Sequence, residues 1–163
     1  MPEENNLNQN IKPIKLILLT GLLVGSLDII SAFVDYYIAR GGNPFIVLRF
    51  IASGIFRNTA LTGSGIMYFW GLLFHFIIAY SFTFLFYFIY PKINLIRLNP
   101  FLTALLYGLF IWAIMNMVIV PLVFSQPWHY NGIKTIKAAL ILIVMIGLPL
   151  SFIMRKHFST AKS

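Results

Sequence analysis

Apolar positions along the chain gather into four long blocks, each closed by charged, glycine or proline residues. The first block runs from about Ile14 to Ile38, opening after Pro13 and closing at Arg40-Gly41-Gly42. The second runs from about Tyr68 to Tyr90 and ends at Pro91-Lys92, inside a charge-free stretch between Arg57 and Lys92. The third opens at Asn99-Pro100, a favourable N-cap followed by a proline at the first helical position, and continues to about Phe124. Pro121 predicts a kink in its last turn. The fourth runs from about Ile133 to Met154, with Lys134 and Lys137 at one end and Arg155-Lys156 at the other; Pro149 predicts a bend. Each block exceeds or meets the roughly 20 apolar residues needed to cross a hydrocarbon core. Aromatic residues fall at their ends, where spans meet headgroups: Tyr36 and Tyr37, Tyr68 and Trp70, Tyr87 and Tyr90, Trp128 and Tyr130.

A fifth apolar piece, Asn43 to Arg57, is too short to span. Arg49, Ser53 and Arg57 recur every fourth residue on one helical face, while Phe45, Leu48, Ile51, Ala52 and Ile55 cover the rest. That pattern predicts an amphipathic helix lying in the interface, or a re-entrant helix packed on the bundle. Its plainest role is that of a structural linker. Thr62-Gly63-Ser64-Gly65 then forms a flexible turn into the second span. Asn-Pro-Phe occurs at 43–45 and again at 99–101, which reads as one capping device used twice. The expected fold is an all-α membrane protein with four transmembrane helices and one short amphipathic helix between the first two. It forms a single integral membrane domain over 1–163, with a polar tail at 1–12 and a basic tail at 155–163.

Composition agrees with this picture. The chain is 60% hydrophobic and 10% charged, with mean hydropathy +0.87. Soluble domains carry about 25% charged residues, so a soluble enzyme and a disordered chain are both excluded. The net charge of +8 would point to nucleic acid in a soluble protein. Here the cations flank the spans. Lys12, Lys15, Lys92, Arg97, Arg155, Lys156 and Lys162 fall on one side of the membrane, and Arg40, Arg49, Arg57, Lys134 and Lys137 on the other. The positive-inside rule places both termini in the cytoplasm, and nucleic acid is not an expected partner. Met1 to Asn10 lack the basic region and cleavage site of a signal peptide, so the first block reads as a retained helix. With no cysteine, thiolate chemistry and disulfides are ruled out; Pro2 and the missing cysteine also leave no lipidation motif.

Ionisable groups inside a membrane are costly and mark functional candidates. Span one carries Asp28 near its middle and Asp35 near its outer end, seven residues apart on one face. Gly21 and Gly25 on the same seam form a small-xxx-small pair that predicts close approach of another helix backbone. Span two carries His75 one turn beyond Gly71, and span three carries Asn116 two turns beyond Gly108. At about 1.5 Å of rise per residue, Asp28 lies roughly 15 Å, and His75 and Asn116 roughly 10 Å, from the outer ends of their spans. These three side chains therefore fall in a similar layer. One reading makes Asp28 and His75 a protonatable pair, with Asn116 as hydrogen-bond partner and Arg49 or Arg57 beside an outward opening. The other has the same groups satisfy one another and fix helix register. Asp35, near the interface, is expected to pair with Arg40 or to be hydrated.

Other chemistries lack their residues. A metal site needs three or more ligands in one place, and only Asp28, His75 and Asp35 approach that, with His129 in the Pro127-Trp128-His129-Tyr130 loop. There is no G-x-S-x-G, P-loop or G-x-G-x-x-G motif, and no second deep histidine for haem. No metal or cofactor is expected, and an enzyme is the third choice of class.

Gly71-Leu-Leu-Phe-His75 in span two, Pro91-Lys92-Ile93, Gly108, Pro121-Leu122 and Pro127-Trp128 resemble the YagU-like family of small bacterial inner-membrane proteins, as does Gly21-Leu-Leu-Val-Gly25 in span one. The chain is also similar to bacterial four-span proteins with Gly-x-x-x-Gly-x-x-Asp in span one and Gly-x-x-x-His in span two. The YagU-like resemblance implies a bacterial inner membrane and a link to acid stress. The function expected is binding or passage of a small solute or proton through the Asp28, His75 and Asn116 layer. The alternative is a structural or partner subunit in which that layer fixes packing. Expected partners are the lipid bilayer and a second copy of the chain or another membrane protein.

Overall fold

In the absence of water, a backbone in hydrocarbon must satisfy its own hydrogen bonds, and an unbroken helix does so. The computed structural model describes residues 12–92, 99–124 and 132–160, and all its regular elements are helical. They are α1 (Pro13–Arg40), α2 (Ile46–Phe56), α3 (Asn58–Thr62), α4 (Ile66–Lys92), α5 (Pro100–Ala113), α6 (Val120–Phe124), α7 (Gly132–Leu142) and α8 (Leu148–Thr160). π-helical segments at Ile114–Ile119 and Ile143–Gly147 join α5 to α6 and α7 to α8. Four continuous helices are long and apolar enough to cross a membrane: Pro13–Arg40, Ile66–Lys92, Pro100–Phe124 and Gly132–Ser159. The loop at 125–131 with His129, the N-terminal tail, and Arg97 and Lys162 lie outside the described residues.

Local chemistry sets the ends of these helices. Pro13 opens α1, and Gly41 closes it at φ 64°, its N–H donating to the Tyr37 carbonyl at 2.8 Å. Both Asn-Pro-Phe sequences make the same contact. The Asn43 side chain accepts from the Phe45 N–H at 3.0 Å, and the Asn99 side chain from the Phe101 N–H at 2.9 Å. α2 is entered through a tight turn, with the N–H groups of Ile46, Val47 and Leu48 each donating three residues back.

The two inner prolines are accommodated in a way the kink argument did not specify. Each lacks an N–H and crowds the carbonyl four residues before it. The turn ahead of each one widens: Val120 N–H donates to Met115 and Leu148 N–H to Ile143, five residues back in both cases. Pro121 and Pro149 follow immediately, so the π-helical turns absorb the clash without breaking the span.

Two further expectations take definite bounds. The expected short helix between the first two spans is α2, which starts at Ile46 and ends at Phe56, where Arg57 takes φ 53°; the short α3 follows before the turn at Gly63. The basic C-terminal segment is helical through Thr160, so α8 carries Arg155 and Lys156 as its last turns.

Helices in lipid gain little from burying apolar surface, so packing rests on close van der Waals fit and interhelical hydrogen bonds. Most outward side chains are accordingly apolar, among them Leu22, Ile30, Ile77, Phe84, Leu106 and Val144. α1 packs on α4, and span four packs on both α1 and span three. Large rings close the remaining side: Tyr107 of α5 lies 4.3 Å from Phe86 of α4 and donates to the Phe82 carbonyl at 2.6 Å. The core of Leu16, Val24, Phe86, Tyr90, Ile111, Leu150 and Met154 fills the half of the bundle that holds the chain ends. In the opposite half, α2 sits against α4 and reaches the end of span three, where Phe50 stacks on Phe124 at 4.5 Å.

Candidate functional site

His75 of α4 meets α1 at Gly25, one turn before Asp28. The α1–α4 seam exists because α1 is thin there. Gly25 offers no side chain, so Phe76 and Ala79 of α4 fill the space that a Cβ would need. Gly21 is covered in the same way by the Tyr80 ring. The close approach expected at Gly21 and Gly25 therefore brings side chains of α4, chiefly rings, onto α1 and not a second backbone. Backbone-to-backbone approach occurs elsewhere. A Cβ on Gly71 would strike the Leu48 carbonyl of α2, and one on Gly108 would strike the Ile143 backbone of span four. Gly147, which sequence reasoning passed over, meets the Ala104 backbone from the opposite helix.

With α1 and α4 so close, the imidazole of His75 reaches across. Its Nε2–H donates to the Gly25 carbonyl at 2.8 Å, and the ring is 9% exposed. Phe76 sets an edge against it, with centroids 5.4 Å apart. A neutral imidazole that donates through Nε2 keeps Nδ1 as its acceptor. Asp28 lies three residues beyond Gly25, on the same face of α1. Asp28 is partly exposed. Five residues after His75, Tyr80 donates to the Leu18 carbonyl at 3.2 Å, a second bond across the same seam.

Asn116 is placed differently. Its amide donates to the Trp112 carbonyl of its own helix at 2.9 Å, within the π-helical segment of span three. Among the described residues no hydrogen bond joins Asn116 to Asp28 or His75. Similar depth did not bring the third member to the pair, because depth fixes height in the bundle and not the direction a helix faces.

The charged residues at the end of the bundle away from the chain ends also find other partners. Asp35 pairs with Lys137 of α7, not with Arg40, whose guanidinium lies 5.4 Å from the Tyr36 ring centroid. Arg49 donates to the carbonyls of Leu61 and Gly63 at 2.8 and 3.0 Å, and sits 4.7 Å from the Tyr68 ring centroid. Arg57 leaves the face shared by Arg49 and Ser53, and donates to the Val123 carbonyl at 2.6 Å. Both arginines hold helix ends whose carbonyls have no intrahelical partner. Lys137 had a legible signal. Span four starts at the end of the bundle where span one finishes, and Asp35 is the last carboxylate in the chain.

Among the described residues, no three His, Asp or Glu side chains gather as metal ligands would. Ser151 adds one more cross-helix bond, donating to the Pro100 carbonyl at 2.6 Å. His75, Tyr80, Tyr107 and Ser151 all donate to a backbone carbonyl of another span. The bond at the seam of α1 and α4 is distinguished by its imidazole donor and by a carboxylate, Asp28, one turn beyond its acceptor. No family model, curated protein or solved structure matches the chain.

Proposed function

We propose that this multi-pass membrane protein takes up and releases a proton at the Asp28–His75 pair, and passes a proton or small cation across the bilayer there. The observation that carries the reading is the reach of the His75 imidazole to the Gly25 carbonyl at 2.8 Å, one turn before Asp28 on α1, between two apolar helices. A carboxylate and an imidazole are the side chains best suited to exchange a proton near neutral pH, and such groups in spans belong to proton and ion pathways by default. The unequal flanking charge supports an orientation with both termini in the cytoplasm. The resemblance to YagU-like proteins supports a bacterial inner membrane and a role under acid stress, where a proton-binding site has an obvious use.

The test is flux in proteoliposomes of the full chain carrying a pH-sensitive dye. Flux from the parent protein that Asp28→Asn and His75→Gln each abolish supports the reading. Unchanged flux in the variants, or none in the parent, overturns it.

A second reading takes the same bond as a packing device. The His75 bond to the Gly25 carbonyl ties α4 to α1 whether or not a proton moves. Under this reading the protein is a structural or partner subunit, and His75→Gln changes stability alone.

A further inference from the structure

A groove of about 350 Å³ lies between the entry to α2 and the first turns of α4, lined by Asn43, Phe45, Leu48, Tyr68, Phe69 and Leu72. It is separate from the Asp28–His75 pair and does not depend on the function proposed for it. Asn43 is the one amide among its walls; the rest are hydrocarbon or aromatic. Phe45, Phe69 and Leu72 are exposed, so the groove opens sideways along α4, where the bilayer lies. Tyr68 and Phe69 stand at the start of a span, the level at which rings meet headgroups.

The charge around this groove has one sign. Arg49 lies over the Tyr68 ring that forms its wall, and Arg40 is exposed three residues before Asn43. No Asp or Glu follows Asp35 in the chain, and Asp35 is paired with Lys137. Two of the five guanidinium N–H groups of Arg49 go to the Leu61 and Gly63 carbonyls and its Nε is buried, which leaves one N–H on each Nη to offer. A guanidinium matches phosphate geometry and stays charged at any physiological pH.

We propose that this groove holds an acyl chain of an anionic phospholipid, with Arg40 and Arg49 receiving its headgroup phosphate. The apolar walls fit the chain, and the two cations, Arg40 over the Tyr36 ring and Arg49 over the Tyr68 ring, fit the headgroup. Leu48 of the groove wall is also the residue whose backbone meets Gly71, so a bound lipid would brace α2 on α4.

Phosphatidylglycerol and phosphatidylcholine of equal chain length, titrated into the full chain in mild detergent and read by native mass spectrometry, test this. The expected result is tighter retention of phosphatidylglycerol, by roughly fivefold for each arginine engaged. Arg40→Gln should remove about fivefold of that preference and leave phosphatidylcholine unaffected. Leu72→Trp fills the groove and should lower retention of both lipids; Leu72→Phe serves the same purpose if the tryptophan variant does not fold. Arg40 carries the charge test because Arg49 also holds the α3 carbonyls. Equal retention of the two lipids, or variants that bind as the parent does, overturn the proposal. So does displacement of the lipid by millimolar inorganic phosphate, which would mark a site for the free anion. A dimer that forms without bound lipid and occludes the groove also overturns it.

Discussion

At the scale of single residues, glycines and side-chain donors decide how closely these helices meet. Gly71→Ala would push a methyl group into the Leu48 carbonyl, which cannot retreat without moving α2. Overpacking of this kind costs about 1–3 kcal/mol, and a lowered midpoint in denaturing-detergent titration should report it. Gly132→Ala, where a Cβ meets open space, should leave the midpoint within about 0.5 kcal/mol of the parent. An equal loss in both would mean that backbone contact at Gly71 is unimportant. His75→Ala removes the bond to the Gly25 carbonyl and should cost about 0.6–2 kcal/mol by the same titration, the range for interhelical hydrogen bonds in lipid.

Between elements, the end of span one and the start of span four are joined by Asp35 and Lys137. The two side chains are 40% and 49% exposed, so solvent weakens the pair. A double-mutant cycle with Asp35→Asn and Lys137→Gln should give a coupling of about 0.2–1 kcal/mol, falling as salt is raised. A coupling of several kcal/mol would mean a much drier contact than this exposure allows. The same scale explains why some elements were legible in the sequence and others not. Lipid demands about 20 apolar residues per crossing, so the four spans stand out directly, and Asn99-Pro100 marks a start to the residue. Pro121 and Pro149 announce a disturbed turn, but whether it kinks or widens depends on what packs around it. Arg57 shows the limit of periodicity: its place on the Arg49 face assumes that the helix continues, and its backbone turns away.

The whole molecule has two unlike halves. The half with the chain ends is filled by aromatic and aliphatic side chains from all four spans. The other half holds α2, packed on α4, and the Asp35–Lys137 ion pair. The candidate site was legible in part for a reason of the same kind. Asp28 and His75 stand out because charge is rare in hydrocarbon, and the small residues around Gly25 mark where α1 can be approached. Asn116 matched them in depth only. The cross-helix bonds of Tyr80, Tyr107 and Ser151 leave no trace in the sequence, because their acceptors are backbone carbonyls and every residue has one. Orientation is testable at this scale, since the chain has no cysteine to remove. A single cysteine at Ser64, in the turn before α4, should react with an impermeant maleimide from outside intact cells. One at Ser159 should react only after permeabilisation. The reverse pattern would place the chain ends outside and invert the direction of any proton path.

Proton flux in a double-mutant cycle at the α1–α4 seam probes the central claim most directly. Proteoliposomes carry the parent chain, Asp28→Asn, His75→Gln or both substitutions, with unfolding midpoints measured on the same preparations. If the pair handles the proton as a unit, each single variant loses as much flux as the double variant, and the losses do not follow the changes in stability. Full flux in Asp28→Asn, or flux that declines only in step with stability across the four proteins, contradicts a proton-binding role and leaves the pair as a packing contact.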